Sequence, residues 1–212
     1  WEVIDENGDG YTWLVGTTWT LWTGEPPNYE TQYAYYDDDA AGSNAPPGSE
    51  WLITPKLFLD SNNVEIWLSY SWAYHSWGSS WGDVQVRVYQ SDTWSSWDTL
   101  IKYFNSDSGV DTFDLTNYLP AESVQVAFVF NDPNGDWGWA YGIDNVVIWA
   151  HERDTYDIKL ISVDTPLTYT APFTTITPKV TLKNIGMDTA ISFYVHFLID
   201  SASINIYHDS IL

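Results

Sequence analysis

The chain has 212 residues, enough for one large domain or two smaller ones with a real core. Seven Lys and Arg stand against 29 Asp and Glu, a formal charge of -22, while 44% hydrophobic and 17% aromatic residues are too many for a disordered acidic chain. A folded protein with so acidic a skin repels phosphate backbones, which argues against nucleic acid as a partner and favours divalent cations; no run of about 18 apolar residues is present to span a membrane, and the absence of cysteine excludes disulfides and thiolate metal sites.

The first residues, WEVID, read as a strand entered without a preceding Met, so the sequence is expected to be a processed or partial piece of something longer. They run into DENGDG, in which Asp5, Asn7, Asp9 and Gly10 match the first half of a calcium loop: alternating oxygen-bearing side chains with a glycine at the sharp turn. The second half fails, because the position for a bidentate Glu is Gly16. The loop is therefore no EF-hand, and it is either a calcium site of another kind or an ordinary polar turn. Further on, YYDDDAAGS offers Asp37, Asp38 and Asp39, three adjacent carboxylates that repel one another unless a cation sits among them, or that form a solvated acidic face.

Alternating strands follow. VEIWLSY sets Val64, Ile66, Leu68 and Tyr70 against Glu65, Trp67 and Ser69; VQVRVY sets Val84, Val86 and Val88 against Gln85 and Arg87; VQVAFVF sets Val124, Val126, Phe128 and Phe130 against Gln125 and Ala127. The period of two predicts half-buried strands, and no window repeats at helical spacing, so an all-β sandwich is the economical reading. Between the first two runs, Trp72, Trp77 and Trp81 are separated by Ser and Gly. Flat rings bordered by acids and amides make a platform on which sugar rings stack, although tryptophans in this number also serve packing or contact with other subunits. After the third run, NDPNGDWGW repeats the oxygen pattern with Asp132, Asn134 and Asp136, as a second cation site or an N-G hairpin turn.

All fourteen tryptophans lie between Trp1 and Trp149, and of the 29 acids 22 precede residue 150, with three of the seven bases. The composition therefore divides the chain into a domain at 1–152 and another at 153–212. The latter offers YDIKLISV, TTITPKVTLKNIG and AISFYVHFLID as strands, with NIG turning between the last two and SINIYH as a possible fourth. An immunoglobulin-like sandwich needs about seven strands, so this domain is expected to be incomplete, with its missing strands in further sequence or supplied by another molecule. The histidines, His75, His151, His196 and His208, show no zinc-enzyme spacing, and no nucleophile elbow or phosphate loop is present, so no enzyme is expected.

Four motifs in order carry a resemblance: W-x-V-I-D-x-N-G-D-G-x-x-W from Trp1, E-W-L-I-T-P-K-L from Glu50, W-x-x-W-x-T-L from Trp94 and Y-G-I-D-N-V-V-I from Tyr141. Together they resemble the cleaved-adhesin and choice-of-anchor jelly-roll domains, relatives of the MAM domain. Residues 156 to 200 are similar to the start of a CARDB-type immunoglobulin-like repeat. The resemblance implies an all-β jelly-roll sandwich followed by a partial immunoglobulin-like one, secreted or at the cell surface. It also implies calcium as a structural ion, with Asp144 of Y-G-I-D-N joining Asp5, Asn7 and Asp9 to clamp the first strand to the last. The function expected is non-catalytic adhesion or surface assembly, with other protein subunits as partners in a homo-oligomer or filament. The alternatives are a carbohydrate-binding module stacking glycans on Trp72, Trp77 and Trp81, and the non-catalytic appendage of a secreted peptidase.

Overall fold

The structure, a computed structural model, describes residues 1–16, 26–27, 32–42, 46–136, 138–165, 177–191, 193–201 and 204–211, with backbone alone from residue 197 on. The chain forms two compact units, Trp1–Glu152 and Arg153–Leu212. In the first, strands β1 (Glu2–Asp5), β2 (Leu14–Gly16) and β3 (Tyr33–Asp37) lead to a one-turn helix α1 (Asp38–Ala41). Then come β4 (Gly48–Ile53), β5 (Leu57–Phe58), β6 (Asn63–His75), β7 (Trp81–Gln90), β8 (Thr93–Trp94), β9 (Asp98–Tyr103), β10 (Asp107–Asp114), β11 (Ser123–Asp132) and β12 (Ala140–Glu152).

These strands make two antiparallel sheets. One runs β1-β4-β11-β7, with β5 also on β11 and with β8 and β9 on β7; the other runs β10-β6-β12-β3-β2. The chain crosses repeatedly between them, the wrapped connectivity of a jelly roll. The period of two decides which side chains meet in the middle. Ile66, Leu68, Tyr70, Trp72 and Tyr74 of β6 face Val84 and Val86 of β7 and Val124, Val126, Phe128 and Phe130 of β11, all buried. The core is ring-rich, and its phenols find partners: Tyr70 and Tyr103 hydroxyls meet at 2.7 Å, and Tyr103 donates on to Asp111.

β11 departs from the half-buried strand its alternation predicts, because Ala127 and Val129 on its outer face are buried as well. They pack with Ile53 under Trp51 and Trp97, whose rings lie 5.8 Å apart. The loop that carries Trp97 folds over the sheet and gives its central strand a second apolar layer.

The second unit has β13 (Ile158–Thr165), β14 (Lys179–Asn184), β15 (Val195–Ser201) and β16 (Ile204–Ile211). Among the described residues β13 pairs with β14 and β15 with β16. The predicted NIG turn therefore does not join two partners in one ladder. Ile185 and Gly186 instead donate backbone hydrogen bonds back to Asp157 O at 3.0 and 3.2 Å, and a Cβ on Gly186 would stand 2.5 Å from Asp157 N. Residues 174–176 of the second predicted strand lie outside the described residues.

Phe128→Ala, which empties a fully buried ring site, is expected to cost about 3–5 kcal/mol in urea unfolding. Val147→Ala, at a side chain 52% exposed, is expected to stay within about 0.5 kcal/mol of the parent.

Candidate metal centre

The DENGDG loop leaves β1 at Asp5 and is braced by its own side chains. Asp5 Oδ1 accepts from Gly8 N at 2.6 Å and Oδ2 from Gly10 N at 2.9 Å. Asn7 Oδ1 accepts from Asp9 N at 3.1 Å while its Nδ2 donates to Pro46 O at 3.0 Å. Asp9 Oδ1 accepts from Tyr11 N at 2.8 Å, but its Oδ2 is buried with no hydrogen-bond partner. Asp5 and Asn7 thus fold the loop as successive Asx turns, and Asp9 is the residue that offers an uncommitted oxygen.

The group nearest to this oxygen in character was not among the predicted ligands. Glu50 takes an inward position of β4, in register with Asp5 on one side and Phe130 on the other, and is 2% exposed. Neither of its carboxylate oxygens has a hydrogen-bond partner, and the buried Thr12 hydroxyl is likewise unpaired. Burial pushes the Glu50 carboxyl up to about 8 and the Asp5 charge adds to it; the Thr12 hydroxyl, near enough to lower it though outside hydrogen-bond geometry, opposes the rise by more than Asp9 and Asp38 each add. Asp38, at the start of α1, is pushed up to about 6, first by burial and then by Asp132 and Asp9, while hydrogen bonds from Tyr36 and Gly138 oppose the rise. Burial also raises Asp132, which ends β11 with Oδ2 buried and unpaired. The Tyr36 phenol, donating to Asp38 Oδ1 at 3.0 Å, is driven up by burial and by the carboxylates of Asp38, Glu50 and Asp9.

The sandwich therefore closes one end over carboxylates from four segments that repel one another. Among the described residues no three Asp, Glu or His side chains are gathered tightly enough to enclose an ion, so these groups act on each other through charge without converging on a point. Their chemistry still fits a hard cation: the unpaired buried atoms Glu50 Oε1 and Oε2, Asp9 Oδ2, Asp132 Oδ2 and Thr12 Oγ1 are all oxygens.

The other predicted ligands go elsewhere. Asn134 Nδ2 donates to Ser79 Oγ at 2.8 Å, and Asp136 Oδ2 accepts from Ser79 Oγ and N at 2.5 and 3.2 Å, so both brace a hairpin against the loop after β6. Asp37 caps α1 by accepting from Ala40 N, and Asp39 is exposed. Asp144 does not join Asp5, Asn7 and Asp9. It lies four residues beyond Ala140, the partner of Asp37, which is about 13 Å along the strand from the end where Asp38 stands. It lines a separate pocket with Trp13, Tyr33 and Ile143.

The three predicted stacking rings are also separated. Trp72 is in register with Tyr70 and Tyr74 on the inner face of β6, 8% exposed and 3.9 Å from the Tyr103 ring, so it cannot stack on a ligand. Trp81 lies on β7 and donates from Nε1 to Asp83 Oδ2 at 3.2 Å. Only Trp77 of the three is strongly exposed, at 57%, and its neighbour is Trp139, at 5.7 Å and 71°.

The raised carboxyls fix the sign of a pH effect. Their folded values lie above their ordinary ones, so between the two the folded state holds more protons than the unfolded chain and stability falls as pH rises. In chelator, the thermal midpoint is expected to climb as pH is lowered from about 8.5 to about 5, the span set by Glu50 and Asp38. Glu50→Gln is expected to flatten most of that climb and to raise the midpoint at the alkaline end; a parent-like slope in this variant, read by calorimetry, would place the repulsion elsewhere.

No family model and no curated protein matches the chain. Among solved structures, the K1 cleaved adhesin domain of Lys-gingipain from Porphyromonas gingivalis is 20% identical, with 71% of this chain and 90% of that chain covered and a TM-score of 0.49. The K3 cleaved adhesin domain of the same protein is 17% identical over 70% and 90%, with a TM-score of 0.45. The xylanase 10B CBM22-1–GH10 modules of Clostridium thermocellum are 13% identical over 72% of this chain and 28% of that chain, with a TM-score of 0.41. The structural neighbours of this chain thus include cleaved adhesin domains at low sequence identity.

Proposed function

We propose that the chain is a non-catalytic adhesion or surface-assembly protein of the cell exterior, whose first unit is a sandwich stabilised by calcium drawn to the acidic end formed by Glu50, Asp9, Asp132 and Asp38, which must close further to ligate it. The observation that carries this reading is the set of buried carboxylate oxygens with no hydrogen-bond partner, drawn from the first loop, β4 and the end of β11. A buried carboxylate without a partner is costly, and a cation supplies the missing one. Calcium takes six to eight oxygens, and Glu50, Asp9, Asp132 and Thr12 offer oxygens of the right chemistry, with Asp38 or water to complete the shell once they draw together, whereas zinc prefers nitrogen and sulfur ligands. The ion would tie the first loop to the central strands and carry out no reaction.

The closer likenesses, of the first unit to MAM-related adhesin domains and of the second to a CARDB-type repeat, belong to this proposal. Assembly with other subunits is supported by the apolar side chains that the second unit exposes: Leu160, Ile161 and Val163 on β13, and Ile191, Phe193 and Tyr194 beyond β14. Where such side chains join into one contiguous patch they mark contacts with other chains. No helix among the described residues is long and apolar enough to cross a membrane.

Thermal melts with calcium and with chelator test the reading. Calcium at a hundredfold excess over its Kd should add about 2.7 kcal/mol, a rise of roughly 5–10 °C for a unit of this size. Glu50→Gln is expected to abolish most of the rise and Asp144→Asn to retain it. Light scattering on the same samples should grow with concentration if the chain assembles. A midpoint indifferent to calcium would remove the metal from the proposal, and a monomer at every concentration would remove self-assembly.

A further inference from the structure

Next to the acid cluster, a cleft of about 350 Å³ opens between Trp77, Trp139, Gly138 and Asp39. Its two indoles stand at 71° with centroids 5.7 Å apart, so they form two walls rather than one flat platform. Trp139 is held from behind by His75, whose ring meets it edge-on at 4.4 Å. The floor is equally fixed: Gly138 N donates to Asp38 Oδ2 at 2.6 Å, Asp38 N donates to Trp139 O at 2.7 Å, and a Cβ on Gly138 would fall 2.6 Å from that carboxylate oxygen. Asp39 supplies an exposed carboxylate at the mouth.

Charge decides what such a cleft can hold. Asp39 lines it, Asp38 bonds to its Gly138 from beneath, and Asp136 is bonded to Ser79, two residues past Trp77. The three bases of the first unit, Lys56, Arg87 and Lys102, are all engaged over aromatic rings of the other sheet and none lines the cleft. His75 contributes no compensating charge at neutral pH, since burial pushes it down. A neutral sugar ring would gain from the indole faces and from hydrogen bonds of its hydroxyls to Asp39 but not from the net charge, and an anionic one would be repelled. A cation gains from both, through attraction to the ring quadrupoles and to the carboxylate.

We propose that the Trp77–Trp139–Asp39 cleft binds a cationic side chain of a protein partner, with arginine preferred because its planar guanidinium stacks on indole and pairs with a carboxylate through two donors. This deepens the adhesion reading and rests on it only for the partner's being a protein. Because Gly138, which lines the cleft, donates to the buried Asp38 carboxylate, the cleft is anchored to a residue of the acid cluster.

The test is titration of the full chain with N-acetyl-L-argininamide, following the indole N–H signals of Trp77 and Trp139 by NMR. Saturable shifts in the millimolar range are expected, with none from the neutral isostere N-acetyl-L-citrulline amide. Trp77→Ala keeps the charge of the chain, so it should weaken binding at least five-fold if the cleft is the site and leave it unchanged if the probe merely follows the field. Asp39→Asn, checked for an unaltered melt, should weaken it as well. Equal shifts with the citrulline compound, parent-like affinity in Trp77→Ala, or saturation by a methyl glycoside in place of the argininamide would overturn the proposal. Argininamide binding by a chain that captures no partner and never assembles would support the cleft and count against the adhesion reading alone.

Discussion

The first unit depends on carboxylates packed where a sandwich ordinarily places apolar side chains. Glu50 occupies an inward position of a central sheet strand, 2% exposed, with Leu52 beside it on the same face. Asp132 occupies the corresponding inward position at the end of β11, and Asp38 closes the gap from the other sheet. Each raises the proton affinity of another, directly or through a shared neighbour, and the shift is largest at Glu50. A chain tolerates such repulsion in its interior only if protons or a cation relieve it, because desolvation removes the water that would otherwise screen it. Everything at this end of the molecule is arranged around that need, from the self-braced first loop to the hairpin after β11.

The same constraint links the interior to the rim. Asp38 is held by Tyr36 on one oxygen and by Gly138 on the other, and its backbone N–H reaches Trp139 O. Only glycine fits at 138, since any side chain would collide with the carboxylate and with Phe130. The orientation of Trp139, and hence one wall of the aromatic cleft, follows from where an acid in the interior points. Asp136 and Asn134 fix the other wall through Ser79, two residues past Trp77. The predicted second oxygen-rich loop thus works as a brace for aromatic side chains, with only Asp132 turned towards the acid cluster.

Much of this was legible in the sequence, and the exceptions have physical causes. The alternation in 64–70, 84–89 and 124–130 assigns the inward faces of β6, β7 and β11 correctly, because period two is a geometric property of a strand. The same alternation, carried four residues further, places Trp72 with Tyr70 and Tyr74 in the core, since β6 runs to His75, and that removes it from the expected stacking platform. The double burial of β11 was not legible, since it comes from Trp97, remote in sequence and folded across the outer face. Glu50 left a signal of its own: in E-W-L-I an acid shares the face of a leucine, a conflict between pattern and polarity that functional sites commonly carry. Asp144 was assigned by motif alone, and motif does not report distance along a strand. Asp5 and Asn7 show the complementary limit, because a spacing that suits a cation equally suits a loop that satisfies its own backbone.

The placement of the few cations completes the electrostatic logic. With three bases against 22 acids before residue 150, the first unit seats each base over aromatic rings, and only Lys102, beside Asp83, and Arg87, beside Glu2, also feel a nearby acid. Arg87 lies between Trp94 and Trp97 at 4.5 and 4.4 Å and donates twice to Gln125; Lys56 lies 3.9 Å over Tyr89, and Lys102 4.9 Å over Trp81. These contacts fasten β8, β9 and their connecting loop to the seven-stranded sheet, and none of the three bases is paired with Glu50, Asp38 or Asp132. Relief there comes from protons, as the raised Glu50 carboxyl shows, or from the cation proposed above. The proposed ion between the sheets and the proposed side chain in the cleft answer that one requirement at two depths, the first where desolvation makes an unpaired charge most costly and the second where solvent still competes.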